Sequence, residues 1–227
     1  MEPAYHPSID GNLLSKVNLL RFIRAFHAAH EMPHGYFVEL GVLNGVGMVQ
    51  VYSQLRGLLT HLYGFDSFAG LPELSSEDAD ALNLMPQFHA GNFASMQREA
   101  VLEFVIRGTS GLSRDQVTLV EGLFSETLPR FERAQLEGKG PCLLVNVDCD
   151  LYSSSKDAFT FLDDIVTTGT WLLLDDYWHY RASPYHGQRR AFDEWMATSK
   201  RVGTTFYANY NGFCRAYVCY EKQSQED

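Results

Sequence analysis

The sequence predicts an α/β protein built on a seven-stranded, mostly parallel sheet with helices on both faces, and three observations carry that expectation. First, apolar runs too short for helices alternate along the chain with segments whose apolar residues fall at helical spacing. Second, two such runs, LLVNV at 143–147 and WLLL at 171–174, flank a segment with Ala158, Phe159, Leu162 and Ile165 at helical spacing. A strand, helix, strand unit of this length joins parallel neighbours through a right-handed crossover. Third, the chain closes on two β-rich runs around Asn211 and Gly212, a strong hairpin signal. Five β-α units followed by a hairpin give seven strands, one of them antiparallel.

At 227 residues, 45% hydrophobic and 20% charged, the chain is long enough for one sizeable core, so one domain is expected. A formal net charge of -10 argues against non-specific affinity for nucleic acid or anionic membrane, which leaves a small molecule as the expected partner. No apolar run approaches the roughly 20 residues of a membrane span. The opening MEPAYHPSIDGN lacks the plan of a signal peptide, and a cytoplasmic protein is expected. Cys142, Cys149, Cys214 and Cys219 show neither CxxC pairing nor Cys/His ligand spacing, as reduced structural thiols would.

In chain order, residues 12–30 place Leu13, Leu14, Val17, Leu20, Ile23 and Phe26 near helical spacing, with Ser8 to Asp10 available as an N-cap. This predicts an N-terminal helical extension over 1–35 that packs on the sheet edge, makes a dimer contact or covers the site; a homo-oligomer stays open. Next, Phe37, Val38 and Leu40 form a strand that enters a turn of pattern E-x-G-x-x-x-G-x-G, from Glu39 through Gly41 and Gly45 to Gly47, and then a helix with Met48, Val49, Val51 and Leu55. The turn lets backbone approach a ligand closely, yet it is neither the dinucleotide fingerprint nor the phosphate loop. The second strand, HLYGFDSF, ends at Asp66, where nucleoside-binding α/β folds place an acid for ribose hydroxyls.

Residues 70–92 break periodicity for longer than an ordinary connection, which predicts a mobile loop near the site. A helix over 95–107, a third strand in VTLVEGLF and a short helix over 126–135 follow. Beyond Tyr177 come the irregular WHYRASPYHG, a helix in QRRAFDEWMATS and the hairpin. The main domain is expected over 36–222, with a disordered tail at 223–227.

The chemistry gathers where strands end. Asp148, Asp150, Asp175 and Asp176 stand at the carboxyl ends of neighbouring strands, where open α/β sheets bind ligands. Such a cluster is costly unless a cation or a proton neutralises it. His179 and His186 are placed to move a proton or shape an acceptor pocket. Gln188, Arg189 and Arg190 read as a solvated helix face, and Trp171, Trp178 and Trp195 as packing.

The motifs VELGVLNGVG, GFDSFAGLP, VEGLFSETLP, VDCDLY and LLLDDY, in this order, resemble the class I S-adenosylmethionine-dependent methyltransferases, and more narrowly the macrocin O-methyltransferase family. The resemblance implies a Rossmann-like class I methyltransferase fold and a Mg²⁺-dependent transfer of methyl to a hydroxyl of a small molecule, a sugar or natural product. It puts Glu39, Gly41 and Gly45 at the methionine end of S-adenosylmethionine, Asp66 at the ribose, and Ser67, Phe68 and Gly122 near the adenine. Asp148, Asp175 and Asp176 match the metal ligands, with Asp148 also beside the cofactor, and Asp150 matches the general base. The chemistry agrees, since carboxylate oxygens are hard ligands suited to Mg²⁺. Asp148 and Asp150, two apart on one strand, would face the same way, one holding metal and the other taking the proton. Asp175 and Asp176 would share an ion only where the chain leaves the strand. Two other classes stay open: an enzyme of this fold with different chemistry, such as N- or C-methylation or an iron hydroxylase, and a catalytically silent binding module.

Overall fold

The computed structural model describes residues 14–223. Its strands are β1 (Gly35–Leu40), β2 (Leu59–Asp66), β3 (Val117–Glu121), β4 (Cys142–Val147), β5 (Trp171–Leu174), β6 (Val202–Tyr210) and β7 (Cys214–Glu221). They lie in the order β3-β2-β1-β4-β5-β7-β6. β7 runs antiparallel to both neighbours and the other described pairings are parallel, as the β-α alternation and the hairpin predict. The order reverses between β1 and β4, which opens a crevice beyond their carboxyl ends.

The helices are α1 (Lys16–Ala29), α2 (Val46–Leu55), a short α3 (Ser76–Ala79), α4 (Arg98–Gly108), a short α5 (Phe124–Thr127), α6 (Tyr152–Ile165) and α7 (Gly187–Thr198). All six residues of β4 are buried, because both faces of the sheet are covered. Leu144 joins a layer with Leu19, Met48 and Trp171, whereas Val145 and Val147 join the opposite layer with Phe159, Leu162 and Trp195. The expected apolar positions of α6 are all buried, together with Tyr152, Ser155 and Phe161.

α1 starts where the Ser15 hydroxyl accepts from the Asn18 amide at 3.2 Å; Ser8 and Asp10, the expected cap, lie outside the described residues. Its Leu19, Leu20 and Ile23 are fully buried, each contributing on the order of 1.5–3 kcal/mol. Phe22 and Phe26 pack on Trp171 of β5 and Phe22 on Tyr207 of β6, so the helix covers the sheet at this edge and shares its core. The Lys16 amide donates to Asn211 Oδ1 and the Asn211 amide to the Leu14 carbonyl, which fasten the helix start to the β6–β7 turn. That turn has three residues, Asn211 and Gly212 in left-handed conformation followed by Phe213.

One expectation is corrected. The helix expected over 126–135 is broken: α5 ends at Thr127 and a single 3₁₀ turn, Arg133–Leu136, follows, since Pro129 offers no N–H to continue the ladder. The excursion 70–92 is not structureless. It carries α3, whose Asp78 is buried and accepts from the Tyr152 and Ser153 amides at 2.7 and 3.3 Å, capping α6 across the fold. α6 needs this, because its own cap position is Leu151, which has no polar side chain. Among the described residues, no helix is long and apolar enough to cross a membrane. All four cysteines are buried and free.

Candidate active site

A cavity of about 560 Å³ lies beyond the carboxyl ends of β1, β2 and β4. The glycine turn after β1 forms one wall because close packing leaves no alternative residue. At Gly41 (φ +94°) a Cβ would stand 1.6 Å from the Asp148 carbonyl oxygen. At Gly47 it would stand 2.3 Å from Glu39 Oε1, so this glycine makes room for the carboxylate. Glu39 is buried; its Oε1 accepts from Asn146 Nδ2 at 3.1 Å, while Oε2 has no hydrogen-bond partner. Burial, opposed by Lys16, pushes the Glu39 carboxyl up to about 7.

Asp66 holds this wall to the next strand. Its Oδ2 accepts from the Val42 and Leu43 amides, both at 2.8 Å, and its Oδ1 from the Phe68 amide at 2.7 Å. A carboxylate has about four lone-pair positions, so one on Oδ1 stays open for a ligand hydroxyl.

The carboxylates at the ends of β4 and β5 divide into two groups. Asp175 turns toward α1, where its Oδ1 lies 3.1 Å from Lys16 Nζ and accepts from the Tyr210 hydroxyl at 2.8 Å. Burial of Lys16 is outweighed by Asp175, Glu39 and Asp148, and its ammonium is held above the ordinary lysine value. Asp176 turns the other way. Its amide donates to Gln188 Oε1, Gln188 Nε2 donates to the Val147 carbonyl, and its Oδ2 accepts from the Asp150 amide at 2.9 Å. Ligand atoms of Asp150, Asp176 and His179 all lie within 4.8 Å of one another.

Burial and then the neighbouring Asp176 push the Asp150 carboxyl up to about 9. Burial, with Asp175 and Asp176, raises Asp148 well above the carboxylate range. Two like charges in a dry site cannot both ionise without a counter-charge.

Of the residues singled out in the sequence, Glu39, Gly41, Asp66, Ser67, Gly122, Asp148 and Asp150 line the cavity. Gly45 and Phe68 do not: a Cβ on Gly45 would meet Val101, Val105 and Phe104, and Phe68 is buried in the core layer of α4. Asp148 and Asp150 do not share a strand face as expected, since β4 ends at Val147 and Asp150 (φ +60°) sits in a left-handed turn before α6. Nor do the expected ligands Asp148, Asp175 and Asp176 form the group that meets within ligand distance, because Lys16 and Tyr210 hold Asp175 aside. His186 bonds Ser183 at 2.8 Å, through Nδ1. Arg189 packs over Trp178, Arg190 over Tyr152, and Gln188 is buried as a brace. Sequence reasoning missed Lys16, Tyr210 and Asp78; a lysine amid apolar positions at a helix start was the one available signal.

The fold matches that of the solved O-methyltransferase NovP with a TM-score of 0.65 at 22% identity, covering 89% of this chain and 78% of that one. An 8-demethyl-8-(2,3-dimethoxy-alpha-L-rhamnosyl)-tetracenomycin-C 4'-O-methyltransferase of Streptomyces olivaceus is 30% identical over 168 residues, 72% of this chain and 60% of that protein. A demethyldecarbamoylnovobiocin O-methyltransferase of Streptomyces niveus is 29% identical over 146 residues, 63% of this chain and 53% of that protein. The matches thus span little more than half the length of either relative. The family model described as Macrocin-O-methyltransferase (TylF) matches residues 17–200, and with the glycine turn, Asp66 and the aspartates in place, the chain belongs to the macrocin O-methyltransferase family.

Proposed function

We propose that this chain transfers a methyl group from S-adenosylmethionine to a hydroxyl of a small sugar-bearing natural product, with a divalent cation of the Mg²⁺ type. The observation that carries the reading is the meeting of the Asp150 and Asp176 carboxylates beside a cavity whose other end presents the glycine turn and Asp66. Family membership and the reactions named for the two Streptomyces relatives support the hydroxyl acceptor.

The residues present fit both absent groups. The buried, unpartnered Glu39 Oε2 and the open position on Asp66 suit the ammonium and a ribose hydroxyl of the cofactor. Asp150 and Asp176 suit the cation, which would relieve their mutual repulsion. S-adenosylmethionine held by Glu39 and Asp66 would supply an activated sulfonium methyl for the acceptor hydroxyl. A bound divalent cation supplies a lower hydroxyl pKa and a fixed oxygen position. Asp148 lines the cavity at the end of β4 outside the Asp150–Asp176 pair, and we assign it the hydroxyl proton. Asp66 orients the cofactor while keeping the glycine turn closed, and Gln188 fixes Asp176.

The test is a screen of glycosylated natural products with S-adenosylmethionine and Mg²⁺, read by mass spectrometry for one added methyl, with its position fixed by NMR. Transfer to a sugar hydroxyl, abolished by EDTA, is the expected result. Methylation at nitrogen or carbon would overturn the acceptor class, and full turnover in metal-free buffer would overturn the cation's part.

A further inference from the structure

The stretch WHYRASPYHG at 178–187 has no glycine before its last position, yet its backbone turns left-handed at three consecutive residues. Tyr180, Arg181 and Ala182 have φ of +54°, +54° and +61°. Residues with a Cβ visit that region one at a time, and such strain persists only where the surroundings over-determine it. Here the Ala182 amide donates to the Trp178 and His179 carbonyls, and Arg189 Nη1 donates to the Ala182 carbonyl at 2.6 Å.

The turn delivers Tyr180 into a slot built around its ring. The ring is buried with Ala81 and Phe88 of the 70–92 excursion and Leu151 at the start of α6, and the Phe88 centroid lies 5.5 Å away. Gly187, the first residue of α7, makes room for it, since a Cβ there would stand 2.2 Å from a Tyr180 ring carbon. From this slot the Tyr180 hydroxyl donates to the Asp150 carbonyl at 3.2 Å.

Asp150 is itself left-handed (φ +60°), and the peptide groups on both sides of its Cα are held. Its amide donates to Asp176 Oδ2 at 2.9 Å and its carbonyl accepts from Tyr180, so neither φ nor ψ turns freely and the Cα–Cβ bond keeps one direction. The first restraint comes from within the carboxylate group, the second from outside it.

The geometry points to Tyr180 as a positioning residue of the site: its hydroxyl holds the Asp150 backbone in the conformation that sets the carboxylate beside Asp176. Tyr180 does not line the cavity, so it acts through Asp150 and not on a reactant. The inference rests on the reading of Asp150 as a working carboxylate of the site, whether that carboxylate holds the cation or takes the proton.

The test compares the full-length wild type with Tyr180→Phe, which keeps the ring and loses the hydroxyl. Its melting temperature should fall by about 2–4 °C, the scale of one hydrogen bond in a protein of this size. Hydrogen exchange without ligands should quicken roughly tenfold at the Asp150 and Leu151 amides and stay unchanged in β1, β4 and α2. With S-adenosylmethionine and a glycoside that the wild type methylates, kcat should fall on the order of tenfold or more while both KM values change far less. In an Asp150→Asn background, where the side chain still tolerates the left-handed backbone, Tyr180→Phe should cost no further kcat. Losses that multiply in the double variant, or exchange at Asp150 and Leu151 that matches the wild type, would overturn the assignment. A far larger drop in melting temperature with faster exchange throughout would also overturn it, because the hydroxyl would then serve the whole fold. A wild type that methylates no glycoside would sink the proposed reaction, and the exchange rates alone would then decide the positioning.

Discussion

Lys16 Nζ lies 3.1 Å from Asp175 Oδ1, so the first residue of a helix that precedes the sheet ends inside the carboxylate cluster. The pair is largely out of water, with side chains 9% and 18% exposed, and the Tyr210 hydroxyl completes the shell of the aspartate. Removing one partner of such a pair leaves the other charge buried. Lys16→Met keeps the packing and should destabilise the fold by about 3 kcal/mol, at the low end for buried pairs because Asp175 keeps some water. Urea unfolding checks this, and the double variant Lys16→Met, Asp175→Asn should recover much of the loss. Additive losses would show that the contact carries no coupling.

Glu39 gives a stability-versus-pH slope opposite to that of ordinary acid unfolding. Burial raises its folded value from 4.5 to about 7, so between those limits the unfolded chain gives up the proton while the folded chain keeps it. The protonated form therefore favours folding below about pH 4.5, and that contribution is lost as pH rises to about 7, on the order of 3 kcal/mol in all. Glu39→Gln stays neutral and buried throughout. Its stability relative to wild type should rise with pH across this window and then level off, as measured by denaturant unfolding at several pH values without ligands. A flat difference would mean that Glu39 is ionised in the fold.

The mostly parallel seven-stranded sheet with its antiparallel strand was legible because it follows from patterns of residue type. The runs LLVNV and WLLL could be buried only in a sheet covered on both faces, and the connection between them forces parallel neighbours. Asp66 was legible for a similar reason, since it ends β2 beside the turn. The division of the aspartates was not legible. Whether Asp175 faces Asp176 or Lys16 depends on a helix well over a hundred residues away in sequence, and no local spacing encodes that meeting. Asp150 misled for a local reason: alternation holds only within a strand, and β4 stops at Val147. Asp78 was not legible inside the 70–92 excursion, because a cap supplied from a distant segment has no sequence signature.

Asp78 ties the 70–92 excursion to the start of α6, and thereby to Asp150 two residues earlier. It accepts from the Tyr152 and Ser153 amides and from the Ser75 hydroxyl, which lies 2.7 Å away. Leu71, Pro72 and Leu74 of the same excursion line the cavity. Asp78→Ala should cost about 1–2 kcal/mol, the scale of a lost helix cap, and should expose the excursion to limited proteolysis well before the rest of the chain unfolds. Asp78→Asn keeps an acceptor oxygen for only one of the two amides, since Oδ1 accepts from Tyr152 and Oδ2 from Ser153, and should restore part of both. If the alanine variant resists protease as the wild type does, the excursion is held by its apolar contacts with Leu151 and Tyr180 instead.

Asp148 and Asp150 are close in sequence yet stand in different surroundings, and their asparagine variants should fail differently. Asp150 shares a ligand group with Asp176, so Asp150→Asn and Asp176→Asn should both weaken the divalent cation, and raising its concentration should recover part of the rate. Asp148 lines the cavity outside that group. Asp148→Asn should bind the cation as well as the wild type does and lose on the order of a hundredfold or more in kcat, the scale of a missing general base. Burial, with Asp175 and Asp176, raises the Asp148 carboxyl, and a base must be deprotonated to act, so kcat should climb with pH through that raised value in the wild type. A cation held by Asp150 and Asp176 would pull the limb toward lower pH, and the asparagine variant should lack that limb. The decisive measurement is cation affinity beside kcat for the three variants. An Asp150→Asn protein with intact cation affinity and a collapsed kcat would return the proton to Asp150 and give Asp148 to the metal.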